Sequence, residues 1–238
     1  MHTEKLAYRD GNVALEAHMA FDPSSTMRRP LVLVAHAWMG QDDFARTKAE
    51  QLAGLGYVGC ALDMYGKSVL ARDNKEAERL MSAVAADRNA LRRRINQGLE
   101  AARAHAQVDQ GRVAAIGFCF GGLCVLDLAR SGASLLGVVS FHGILATPDP
   151  ESARNIRCKV LALHGNDDPF VPPAQVTAFR KEMNDAGVDW QMHTYGKTVH
   201  AFTVEDANDL KLGCVYSRSA ARRAWQAMTS FFAELFGS

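Results

Sequence analysis

Five short apolar runs constrain this chain most: LVLVAHA (31–37), YVGCALDMYG (57–66), RVAAIGF (112–118), LLGVVSFHG (135–143) and RCKVLALHG (157–165). A strand that is apolar on both sides of its pleat must be covered on both faces. Between these runs lie segments with helical spacing. DDFARTKAEQLAGLG places Phe44, Ala45, Lys48, Leu52 and Leu55 on a helical period, and Gly56 ends it. The Ala-, Arg- and Leu-rich stretch from about Asn74 to His105 predicts helix with one break near Asp87. FGGLCVLDLARSG, PPAQVTAFRKEMNDAG and SRSAARRAWQAMTSFFAELF read as further helices, with WQMHTY as a strand before the last of them. Ahead of all this, KLAYRD and VALEAHMAF flank Gly11 as a hairpin. Strands alternating with helices predict a three-layer α/β fold: a mostly parallel central sheet, helices on both faces, and an N-terminal β-hairpin. In such sheets ligands bind beyond the carboxyl ends of the strands.

No repeat or low-complexity linker interrupts the 238 residues, so the expectation is a single domain spanning 1–238. Lys and Arg number 27 against 26 Asp and Glu. That balance gives no electrostatic case for a nucleic-acid partner, and the run Arg92-Arg93-Arg94 reads as a solvated helix face. No run approaches the ~18 apolar residues of a membrane span. The opening MHTEKLAYRDGN has no apolar stretch behind a basic start, which together with five scattered cysteines points to a reducing cytoplasm. No C-x-x-C pair or histidine ligand spacing occurs, so neither a metal nor another cofactor is expected.

The chemistry concentrates in VAAIGFCFGGLC. Gly117-Phe118-Cys119-Phe120-Gly121 fits the glycine-flanked elbow that carries a nucleophile between a strand and a helix. Glycines suit such an apex because the turn is sharp and leaves no room for flanking side chains. The helix beginning there directs its free amides at Cys119, which favours a thiolate. A second motif, LALHGNDDPFVPP, ends a strand at His164-Gly165 and presents an aspartate: Asp168 in the better register, Asp167 as the alternative. A third, YGKTVHAF, delivers His200 from a glycine-containing loop, while its rival His193 lies inside the strand WQMHTY. Nucleophile, Asp, His is the chain order of α/β-hydrolases. The oxyanion hole is expected from the backbone amides of Phe120 and Trp38, with Gly40 turning the chain after LVLVAHA. Trp38 and Phe202 are the candidates for substrate contact. His36, His142 and His164 read as structural histidines at strand ends, and Cys60, Cys124, Cys158 and Cys214 as inert packing thiols.

These motifs resemble the dienelactone hydrolase family, whose members are cysteine-nucleophile α/β-hydrolases. LVLVAHAWMG, GYVGCALDMYGKS, GFCFGG, HGNDDPFVP and HAFTVED fall in the family's order over nearly the whole chain. The resemblance implies a Cys119–His200–Asp168 triad, a small-molecule ester or lactone substrate, and an acyl-enzyme on Cys119. Two positions depart from the family pattern. Ala37 stands where relatives often carry a glutamate that holds the resting thiol, so Cys119 must pair with His200 or draw on Asp42 or Asp43. The first option predicts a thiol that reacts without substrate. Ala201-Phe202-Thr203-Val204 lacks the arginine with which the type enzyme grips a substrate carboxylate, which leaves Arg72, Arg79 and Arg88 as anion-contact candidates. The same triad would also serve an acyltransferase or thioesterase. A redox sensor using Cys119 and a non-catalytic binding protein are the readings from other classes.

Overall fold

The computed structural model describes residues 1–24, 27–67 and 69–237. Strands β1 (His2–Asp10) and β2 (Val13–Phe21) form the expected hairpin, with Gly11 in the left-handed turn at φ 57°. Chain order continues through β3 (Arg29–Ala35), α1 (Asp43–Gly54), β4 (Val58–Leu62), α2 (Asn74–Ala85), α3 (Arg88–Arg103), β5 (Val108–Phe118) and α4 (Phe120–Arg130). Then follow β6 (Gly137–Phe141), a 3₁₀ turn (Pro150–Asn155), β7 (Lys159–Gly165), α5 (Pro173–Asp185), β8 (Trp190–Tyr195), the two-residue strands β9 (Asn208–Asp209) and β10 (Cys214–Val215), and α6 (Arg218–Phe236).

Among the described residues, eight strands make one sheet in the order β1-β2-β4-β3-β5-β6-β7-β8. The β1–β2 and β2–β4 pairings are antiparallel, and all pairings from β4 to β8 are parallel. Pro30 has no N–H to offer the ladder, and the β3–β5 register shifts between Pro30 and Leu31.

Alternate residues of the continuous apolar strands feed two separate cores, which is why those strands show no polar period. Leu31, Leu33, Ala115, Val138 and Val160 face α3, α4 and α5. Val32, Val34, Ala114, Ile116, Val139 and Leu161 face α1 and α6. The expected helix break falls where the sequence placed it: α2 ends at Ala85, and Asp87 caps α3 by accepting from the amides of Asn89 and Ala90. The 3₁₀ turn and the β9–β10 ribbon carry too few residues for a periodic signal and were not legible beforehand. The parallel strands β3 to β8 all end on one edge, and every residue of the candidate site leaves from there.

Among the described residues, no helix is long and apolar enough to cross a membrane, and no cluster of His, Cys, Asp and Glu could hold a metal ion.

Candidate active site

Cys119 is the single residue between β5 and α4, at φ 55° and ψ −114°. A left-handed backbone on a residue with a Cβ costs of order 1–3 kcal/mol and persists only where its surroundings impose it. Here they do. The Cys119 amide donates to Phe141 O at 3.0 Å, and its carbonyl accepts from Gly122 N at 3.0 Å. The flanking glycines permit the approach: a Cβ on Gly117 would lie 2.0 Å from Gly121 O, and one on Gly121 would lie 2.0 Å from Ala35 O. Phe118 and Phe120 are buried on either side while Cys119 stays partly exposed. The strain thus presents one sulfur at the amino end of α4, where the helix dipole favours an anion.

His200 and Asp168 come to this edge from β8 and β7. His200 Nδ1 donates to Asp168 Oδ2 at 2.8 Å, and Asp168 Oδ1 accepts the Phe170 amide at 2.9 Å. The alternatives fall away on position: Asp167 is exposed and bonded to Asn166, and His193 is exposed on the edge strand β8. The ribbon holds the His200 backbone, which donates to Gly213 O and accepts from Val215 N. The rings of Phe170 and His142 stand edge-on to the imidazole at 4.8 and 5.1 Å between centroids. Burial pulls the His200 pKa down, but Cys119 and Asp168 outweigh it and raise the value to about 10. At neutral pH the imidazolium is therefore the favoured form, and the group it faces is the Cys119 sulfur.

The loop after β3 brings Trp38 to the same edge. Among the described residues, the amides of Phe120 and Trp38 donate to no protein acceptor, as an oxyanion hole requires. Two residues hold this loop: His36, expected as a structural histidine at a strand end, and Tyr65, which sequence reading passed over. His36 accepts the Met64 amide on Nε2 at 3.1 Å and donates from Nδ1 to Ala37 O at 2.6 Å, so it is neutral and ties the ends of β3 and β4 together. Tyr65 donates its hydroxyl to Trp38 O at 2.9 Å and stacks on Phe120 at 5.7 Å. A histidine ending an apolar strand was a visible signal; the reach of Tyr65 across to Trp38 was not.

Several expectations need correction. Phe202 does not line a substrate wall: it is fully buried, packed against His142 and Tyr195 beneath the His200 loop. Arg88 is not available to an anion, because Asp127 and the Ala146 carbonyl take its guanidinium. Arg72 and Arg79 are exposed partners of Glu76. Neither Asp42 nor Asp43 can replace the missing glutamate at position 37: Asp42 caps α1 at the Ala45 amide, and Asp43 points to solvent beside Arg46. Burial pushes the Cys60 and Cys158 thiols to about 12, Cys214 to about 11, and Cys124 well above its ordinary value. Cys214 is the one among these that is partly exposed, in β10 rather than in a long apolar element.

With this geometry in place, the comparison with known families is decisive. The model of the dienelactone hydrolase family matches residues 15–236. The chain belongs to that family. As a dienelactone hydrolase family member it is a hydrolase of the ester and lactone type with the α/β-hydrolase fold. An Aquifex aeolicus relative, provisionally named a carboxymethylenebutenolidase, is 27% identical and aligns over 85% of this chain and 87% of its own. A Caenorhabditis elegans protein with no assigned function is 34% identical over 63% of this chain and 98% of its own. Among solved structures, a dienelactone hydrolase-like promiscuous phosphotriesterase from metagenomic libraries superposes with a TM-score of 0.94 at 36% identity, covering 98% of both chains.

Proposed function

We propose that this dienelactone hydrolase family member cleaves a small uncharged carboxylic ester or lactone through an acyl-enzyme on Cys119. The observation that carries the reading is the strained, partly exposed Cys119 facing the His200 imidazole, whose other nitrogen Asp168 holds. The Cys119 thiolate attacks the carbonyl carbon, and the Phe120 and Trp38 amides receive the developing oxyanion. Collapse of the tetrahedral adduct expels the alkoxide, which takes its proton from the His200 imidazolium. Neutral His200 then draws a proton from water, hydroxide adds to the thioester, and the acid leaves as the thiolate–imidazolium pair returns. Asp168 holds the ring in one tautomer throughout and does not itself take the proton.

With Ala37 in place of a carboxylate, and Asp42 and Asp43 engaged elsewhere, the partner for the resting sulfur is His200. The reading of an uncharged substrate is supported by the candidate cations: Arg88 is taken by Asp127, and Arg72 and Arg79 share Glu76 on the surface. The protein acts in the cytoplasm on a small molecule and needs no cofactor.

The test compares wild type with Cys119→Ala and Cys119→Ser on p-nitrophenyl esters, enol-lactones and one phosphotriester. Turnover of an ester or lactone by wild type, abolished by Cys119→Ala, supports the reading. So does alkylation of Cys119 by iodoacetamide at neutral pH without substrate. Full activity in Cys119→Ala, or no turnover of any ester or lactone, sinks it.

A further inference from the structure

A second cleft lies on the opposite face of the sheet from α3, α4 and α5. It has a volume of about 430 Å³, between α1, α6 and the segment after His200. Its floor is Phe118 and Phe141, whose rings stack at 4.7 Å between centroids. Both touch the elbow from behind: Phe118 precedes Cys119 in the chain, and Phe141 O accepts the Cys119 amide. Thr203 lines the same cleft and meets His142 Nε2 at 2.7 Å, and His142 in turn abuts His200. The cleft backs onto the candidate active site without being part of it.

Its charges are unbalanced. Lys48, Arg222 and Glu205 line it, for a net charge of +1. Lys48 Nζ lies 5.1 Å from the Phe44 ring centroid and 5.2 Å from that of Trp225, and it donates to Gln51 Oε1 at 3.1 Å. Two ring faces and one amide oxygen are weaker partners for an ammonium than a carboxylate. Among the described residues, neither Lys48 nor Arg222 forms an ion pair. Burial lowers the Lys48 pKa, and the charge of Glu205 offsets that only in part.

We propose that this cleft binds a monocarboxylic acid with an aromatic or short alkyl body. The carboxylate sits on Lys48 and Arg222, and the body lies against Trp225, Tyr216 and Leu55, with the buried Phe118–Phe141 pair beneath them. A dicarboxylate meets Glu205, and an uncharged analogue leaves Lys48 as it was. The volume falls within the range of small-ligand pockets, roughly 300–1,000 Å³.

Titration of tryptophan fluorescence with 3-phenylpropionate tests the site, with 3-phenylpropan-1-ol as the uncharged control and denaturation midpoints as the check on folding. The expected result is saturable binding of the acid, not the alcohol. Lys48→Met and Ala221→Trp, which remove the charge and fill the space independently, each weaken it at least tenfold. If one variant fails to fold, the other decides. No saturation in wild type, or equal binding in wild type and every folded variant, overturns the site. A kinetic arm rests on the hydrolase reading: added acid changes kcat of ester cleavage and leaves KM unaltered, whereas a rise in KM alone places the acid in the catalytic cleft and overturns the proposal. The binding arm needs no turnover, so failure of the hydrolase reading is seen separately.

Discussion

His200 Nδ1 and Asp168 Oδ2 lie 2.8 Å apart, both buried, with the second Asp168 oxygen held by the Phe170 amide. The carboxylate has no freedom to rotate away, so the imidazole keeps its other nitrogen toward Cys119. Asp168→Asn preserves the shape and removes the charge. The expected loss in kcat on a p-nitrophenyl ester is about 10³- to 10⁴-fold. On an alkyl ester, whose leaving alkoxide must be protonated, the alkaline limb of the kcat/KM–pH profile reports loss of the imidazolium. In wild type it falls near pH 10, and it moves to lower pH in the variant because a group that raises the His200 pKa is gone. A limb unmoved by Asp168→Asn contradicts the coupling.

Three other histidines at the strand ends are held neutral. Burial lowers the pKa of His36, His142 and His164, with the His200 charge adding to the effect on His142. Unfolded histidine takes up its proton near pH 6.5, and the folded residues do so only at lower pH. The unfolded state therefore binds more protons as pH falls, so stability drops from about pH 6.5 downward. Each such histidine contributes about 1.4 kcal/mol per pH unit until its folded value is reached. Urea unfolding at pH 7.5, 6.5, 5.5 and 4.5 measures the slope. His142→Gln removes one histidine's share, and stability that is flat between pH 6.5 and 5.5 rules out the argument.

Arg130 is fully buried between α4 and α5, with both carboxylate oxygens of Glu182 at 2.7 and 2.9 Å and Asp127 at 3.3 Å. Asp127 retains Arg88 if Arg130 is lost, but Glu182 forms no other ion pair among the described residues. Arg130→Met is expected to cost about 3–5 kcal/mol in urea unfolding, since it strands a buried carboxylate. Arg130→Met with Glu182→Met recovers most of that loss, because the desolvated charge goes with its partner. Equal destabilisation by the single and double variants would show that packing, not charge, governs the site.

How much of this was legible in advance follows from the range of the interactions. The continuous apolar strands, the helix break near Asp87 and the glycines around Cys119 are local necessities of backbone and burial, and each leaves a mark within a few residues. So does the order Cys119, Asp168, His200. The choice of Asp168 over Asp167 was legible only as a register, and the structure separates them by burial.

What the sequence by itself determined is the layered α/β architecture and the residue types at the ends of its strands, because period and turn chemistry act over short stretches of chain. Only the tertiary structure decided which long side chains are spoken for. Arg88 belongs to Asp127, thirty-nine residues away in sequence. Phe202 is sealed beneath His142, and Tyr65 reaches back to Trp38. The cleft behind Phe118 exists only where α1 and α6 fail to close over the sheet. Such pairings depend on which segments the sheet order brings side by side, and no local pattern in the chain encodes them.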